Sequence, residues 1–151
     1  MKGFALACLL AGAVNIAGCS AQPGAVPSPT VPSPASPMDC TDEVATSAFA
    51  TVSNQQAAFA STDFAEARRM ASEGFRSQVT LQEFKAIIED GYAFLLGGPP
   101  VALAECRMDG TGVVLRIEVD AKPSVAMAYR LVLEGDEWRI DGASILRQVS
   151  A

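Results

Sequence analysis

Residues 97–100 read Gly-Gly-Pro-Pro, and no regular element passes through them. Two glycines open backbone conformations closed to other residues, and two prolines then fix φ and remove two donors in succession. The chain on either side must be built from separate elements, and its patterning differs on the two sides. Before the break, apolar residues recur at helical spacing; after it they alternate with period two. Helices first and strands afterwards make an α+β arrangement, with the helices covering one face of an antiparallel sheet.

Three helices are expected ahead of the break. The first spans residues 41–60, with Val44, Ala48, Val52 and Phe59 along one face and Phe49 beside them; Gln55 and Gln56 interrupt that face. The second starts at Asp63, with Glu66 three residues on as a box-like cap. Its apolar side is Phe64, Ala67 and Met70 or Ala71, and Gly74 is its expected end. The third opens on Thr80-Leu81-Gln82-Glu83, a capping box in which each side chain can satisfy a backbone donor of the other residue. Phe84, Ile87, Ile88, Tyr92 and Leu95 continue its face until the glycines and prolines stop it.

About four strands are expected after Pro100. Val101 to Met108 is the first, with Ala102, Ala104, Cys106 and Met108 on one side, and Asp109-Gly110 is a hairpin turn signal. In the second, Val113, Leu115, Ile117 and Val119 alternate with Val114, Arg116, Glu118 and Asp120, the pattern of a half-buried strand. Lys122-Pro123-Ser124 turns the chain into a third, where Val125, Met127, Tyr129, Leu131 and Leu133 alternate. After Gly135-Asp136, residues 137–141 carry Trp138 and Ile140 on one face, and the tail from Gly142 to Val149 extends that strand. Val113, Leu115, Ile117, Val119, Met127, Leu131 and Leu133 are the expected inward residues, with Tyr129 on the same face.

Several short signatures occur in order from Gln55 to Ile145: Ala58-Phe59, Thr62-Asp63-Phe64, Phe75-Arg76, Phe84 to Tyr92, Tyr129-Arg130-Leu131 and Trp138-Arg139-Ile140-Asp141-Gly142. Their order and spacing resemble the nuclear transport factor 2-like (cystatin-like) superfamily, and within it small uncharacterised secreted bacterial proteins. The resemblance implies that residues 39–151 form a domain in which about three helices pack on a curved, cone-like meander. It also implies a pocket between sheet and helices, which enzymes of the superfamily line with an Asp, Tyr or His.

The first 38 residues cannot contribute a core. Lys2 precedes an apolar run from Phe4 to Ala17, too short for a membrane span of about 20 residues but suited to a signal segment. The run ends in Ile16-Ala17-Gly18-Cys19, which resembles the lipobox of bacterial lipoproteins. The resemblance implies that residues 1–18 are a signal peptide and that cleavage leaves Cys19 as an acylated, palmitate-bearing residue. Each buried lipid methylene adds about 0.8 kcal/mol of membrane affinity. Localisation would then be the cell envelope: the outer membrane in a Gram-negative cell, otherwise the outer face of the cell membrane. An ordinary secretory signal, cleaved near Ala21, is the alternative. Residues 20–38 hold six of the nine prolines, so a disordered Pro/Ser-rich linker biased to polyproline II is expected, reaching roughly 60 Å when extended. The remaining 113 residues are enough for one domain, which at that size buries roughly two thirds of its unfolded surface.

Cysteine use follows from export. With Cys8 removed and Cys19 acylated, Cys40 and Cys106 remain as a pair in an oxidising compartment, so a disulfide is expected; two buried free thiols are the alternative. Such a bridge would stabilise the fold by about 4 kcal/mol in the chain-entropy account.

Composition narrows the functions. Histidine is absent, which removes the commonest general base and the commonest metal ligand. Formal net charge is −6. The basic residues Arg68, Arg69, Arg76, Lys85, Arg107 and Arg116 are scattered, so no nucleic-acid footprint is present; Arg68 and Arg69 are expected on a solvated helix face. Glu89 and Asp90 are adjacent on a helix and do not converge. No nucleophile-base constellation, phosphate loop or metal spacing occurs, and neither cofactor nor metal is expected. Tyr92, Tyr129 and Trp138 are read first as core residues, and Tyr92, Tyr129 and Met127 as the candidate pocket lining. The leading function is a membrane-anchored envelope lipoprotein whose non-catalytic domain binds a protein partner or a small apolar ligand. The alternative is a pocket enzyme of isomerase or hydrolase type, using Tyr or a carboxylate.

Overall fold

A computed structural model describes residues 39–149. The signal segment, Cys19 and the proline-rich stretch lie outside the described residues.

Thr41 begins the first helix, α1 (Asp42–Ala60): its hydroxyl accepts from the Val44 N–H at 3.4 Å, and Asp42 and Glu43 sit in the first turn, where the helix dipole favours acids. Ala48, Val52 and Phe59 are buried as the spacing predicts, and so are Gln55 and Gln56. Asp63 caps α2 (Phe64–Arg69), accepting from the Glu66 N–H at 2.9 Å.

The single helix expected from Asp63 to Gly74 is instead two. Helix α2 stops because residues 70–72 pair with the sheet: Ile140 N–H donates to the Met70 carbonyl at 2.9 Å and Ser72 N–H to the Ile140 carbonyl at 2.8 Å. These bonds form a parallel bridge at Ala71. Ser72 then caps a separate helix, α3 (Glu73–Gln78), and Gly74 lies in its first turn rather than ending α2. Arg68 also departs from expectation. It is half-buried, and its guanidinium donates to the Val79 carbonyl at 2.9 and 2.7 Å and to the Arg76 carbonyl at 2.6 Å. A cation there satisfies carbonyls left over at the end of α3. Arg69 is exposed and pairs with Glu66, as a solvated residue should.

Helix α4 (Leu81–Gly91) carries the reciprocal capping box between Thr80 and Glu83. Tyr92 ends it, a 3-10 turn (Ala93–Leu95) follows, and Gly97 and Gly98 take φ of +90° and +69°. At Gly98 the requirement is also steric: a Cβ there would fall 2.4 Å from that of Ala60 at the end of α1. The described residues thus hold four α-helices and one 3-10 turn where about three helices were expected.

The strands β1 (Val101–Asp109), β2 (Gly112–Val119), β3 (Ser124–Glu134) and β4 (Glu137–Val149) form one antiparallel meander in the order β1-β2-β3-β4. The turns at Gly110 and Gly135 use φ of +61° and +63°. Val113, Leu115, Ile117, Val119, Met127, Tyr129 and Leu131 are all at most 2% exposed. With Val52, Phe59, Phe84, Ile88 and Leu95 they form the core between sheet and helices.

Two strand details correct the expected alternation. The β1–β2 register shifts between Leu103 and Glu105. That extra residue puts Val101 and Leu103 on the half-buried side with Cys106 and Met108, while Ala102 and Ala104 are exposed. Leu133 is 49% exposed rather than inward, at the end of β3 two residues from the Gly135 turn.

The start of the described chain is fastened to the free edge of β1. Asp39 bridges Arg107, Cys40 N–H donates to the Cys106 carbonyl at 3.2 Å, and Cys40 and Cys106 are disulfide-bonded with their Cα atoms 5.5 Å apart.

Candidate functional site

Where the C-terminal end of α4 passes over β3 and β4, the two layers do not close completely. A cavity of about 90 Å³ remains. Its floor is Met127 and Tyr129 of β3 with Ile140 of β4; its sides are Phe59, Phe84 and Ile88. The alternation of β3 turns Met127 and Tyr129 toward the helices, and the spacing of four between Phe84 and Ile88 puts both on the underside of α4. Phe84 stacks on Phe59 at 6.2 Å between ring centres and meets Phe75 edge-on at 6.1 Å, so one wall is aromatic.

The mouth lies beside Ile87, Tyr92, Gly142 and Ala143. Ile87 is 43% exposed. Tyr92 reaches across it, its hydroxyl donating to the Ala143 carbonyl at 3.1 Å, so the residue that caps the C-terminal end of α4 is latched to β4. The candidate residues Tyr92, Met127 and Tyr129, from two distant parts of the chain, therefore line one cavity. Trp138 is elsewhere: it is half-buried against the core, with its indole N–H donating to Ser47 at 3.1 Å.

Three lining side chains are polar: Gln55, Tyr92 and Tyr129. Gln55 was legible only as a flaw in the apolar face of α1. It is buried, and its amide N–H donates to the Ala67 carbonyl at 3.1 Å. Tyr129 is 2% exposed, and its hydroxyl has no hydrogen-bond partner among the described residues. No side-chain nitrogen or oxygen sealed from solvent lacks a partner, so this oxygen faces the cavity space. Burial, with a smaller contribution from neighbouring Tyr92, pushes the Tyr129 phenol well above its ordinary value. It stays protonated at physiological pH and acts as a hydrogen-bond donor or acceptor rather than as a base.

No Asp, Glu, Lys or Arg lines this cavity. The nearest thing to a polar cluster is elsewhere, where Ser72 donates to Asp141 at 2.8 Å and Arg130 lies between Asp109 and Asp141 at 3.7 and 3.9 Å. Asp141 is part-exposed there and Ser72 has a capping role. Among the described residues no three His, Cys, Asp or Glu side chains gather as metal ligands, and no helix is long and apolar enough to cross a membrane.

Residues 42–151 match the family described as "Domain of unknown function (DUF4864)". No curated protein matches the chain. Among solved structures, the chain is similar to a SEC-C motif containing protein from Rhodopseudomonas palustris. The two are 14% identical, with 73% of this chain and 100% of that chain covered and a TM-score of 0.39.

Proposed function

This chain belongs to the DUF4864 family, and we propose that it is a lipid-anchored cell-envelope protein whose domain holds a small apolar ligand without converting it. In this proposal residues 1–18 are a signal peptide, Cys19 carries the lipid, and residues 20–38 space a nuclear transport factor 2-like domain from the membrane. The sheet and helices form the cone of that superfamily, and the cavity is its interior. The protein resides on the outer membrane of a Gram-negative cell, or otherwise on the outer face of the cell membrane.

The observation that carries the binding role is the make-up of the cavity wall: mostly aliphatic and aromatic side chains, with one amide, Gln55, and no carboxylate or cation among them. Such a wall favours an apolar ligand by desolvation but has nothing to move a proton at neutral pH. A pocket enzyme needs at least one ionisable group poised near the working pH, and the Tyr129 phenol is shifted in the opposite direction.

The anchor is tested by Cys19→Ser. The substitution is expected to abolish labelling by a palmitate analogue and to release the protein from the membrane fraction; labelling that persists would place the lipid elsewhere. The binding role gives way to the enzyme reading if the protein shows isomerase or hydrolase turnover that disappears in Tyr92→Phe or Tyr129→Phe.

A further inference from the structure

The cavity has a chemical asymmetry that narrows what can occupy it. Of its three polar side chains, two each already donate to a backbone carbonyl. The Tyr92 hydroxyl donates to the Ala143 carbonyl, and the Gln55 amide N–H donates to the Ala67 carbonyl. The third, Tyr129, is nine-tenths buried or more, lies in the cavity wall and has no partner for its hydroxyl among the described residues. An occupant with a matching polar atom gains a directional bond to this hydroxyl, and a pure hydrocarbon does not.

Charge sets the second limit. No Lys or Arg lines the cavity, and an anion taken there would lose its hydration with no counter-charge to replace it. Size sets the third. A sealed apolar cavity of about 150 Å³ holds a benzene molecule. The present 90 Å³ encloses somewhat less, and the rest of a single ring has to lie in the mouth beside Ile87 and Tyr92.

We propose that this cavity is a site for a neutral, single-ring molecule bearing one hydroxyl or carbonyl oxygen, which accepts a hydrogen bond from Tyr129 while its carbon frame packs against Phe59, Phe84 and Met127. The inference rests on the apolar-ligand reading above and adds the oxygen and the exclusion of anions. Its occupant is recognised by a directional contact at Tyr129 inside a largely apolar wall, the usual division of labour in small-molecule sites.

Three probes of similar frame separate the contributions: phenol, toluene and benzoate, titrated into the purified full-length chain in detergent. The readout is the Met127 methyl resonance, because Met127 lines the cavity. Phenol is expected to shift it saturably and to bind about tenfold more tightly than toluene, the factor expected for one net hydrogen bond of about 1.4 kcal/mol. Benzoate is expected to leave the resonance unmoved. In Tyr129→Phe the preference for phenol should vanish while toluene affinity changes less than twofold. The wild-type ratio of phenol to toluene stands as a test even if that variant folds poorly. Equal binding of phenol and toluene, or a preference that survives Tyr129→Phe, overturns the role of Tyr129 and leaves the apolar-ligand reading intact. Benzoate binding more tightly than phenol overturns the neutral-ligand assignment. No saturable shift with any of the three defeats both readings together.

Discussion

Across the core the sheet offers Val113, Leu115, Ile117, Val119, Met127 and Leu131, whereas the helical layer opposite fixes itself with Gln55, Gln56, Arg68 and Ser72. The sheet's own backbone groups are satisfied by strand pairing, so its inner side chains need only be apolar and of suitable volume. The helices are short and interrupted. Strand β4 reaches one carbonyl at their ends, that of Met70, and long polar side chains from neighbouring segments reach others: Gln55 to Ala67, Gln56 to Leu95, Arg68 to Arg76 and Val79. Desolvation, which is large and tolerant of detail, holds both layers together through the shared core; the helical layer adds single directional contacts, which are smaller and position-specific.

Truncation in the sheet should have the larger effect. Leu115→Ala removes a fully buried side chain from the second strand and is expected to cost about 3 kcal/mol, within the roughly 2–5 kcal/mol range for such cavities. The shift of the urea midpoint at unchanged slope measures it. A loss below about 1 kcal/mol would show that the sheet face is not the main source of stability.

Within the helical layer the two glutamines should differ. Gln55→Leu leaves the Ala67 carbonyl without its side-chain donor and is expected to cost about 1–2 kcal/mol. Gln56→Leu should cost less, because the Leu95 carbonyl keeps the Gly98 N–H at 3.3 Å. Equal effects from the two, or a gain from Gln55→Leu, would mean that the helices are held by burial in the same way as the strands.

The smallest effect belongs to the exposed capping box. The Thr80 backbone N–H and then its hydroxyl, each donating to the Glu83 carboxylate at 2.8 Å, hold Glu83 below its ordinary value of 4.5. A depressed folded-state value means that the stabilisation is fully present above about pH 4.5 and is lost as pH falls through the lower folded value. Carboxyl resonances followed through an acid titration should show Glu83 titrating late, and Thr80→Ala, which removes the hydroxyl but keeps the backbone N–H, should return it only part of the way toward 4.5.

What the sequence made legible tracks the same division. The Thr80–Glu83 box, the Asp109-Gly110 turn and the alternation of Val113 to Val119 are written within a few residues, and all appear in the structure. The break between α2 and α3 is not local: Ala71 leaves helical geometry because Ile140, far along the chain, pairs with its neighbours. The bulge in β1 escaped for a similar reason, since Ala104 looks like an ordinary strand residue until the register against β2 is known. At the candidate site, Tyr92, Met127 and Tyr129 could be placed on inward faces from periodicity alone. Gln55 could not be assigned to the cavity, because its side chain is fixed by a carbonyl of the next helix.

The fastening of Asp39 and Cys40 to β1 has a mechanical consequence. Tension drawn through the chain ahead of Asp39 crosses the covalent bridge at Cys106 and arrives in the middle of an edge strand. Helix α1 begins only two residues beyond Cys40 but is bypassed as a load path. With the bridge intact, the helices over the cavity are shielded and the strand lattice bears the pull. With it reduced, the same tension would be handed to the first turn of α1 and would peel it from the core, beginning at Asp42 and moving toward Gln55 and Phe59 in the cavity wall.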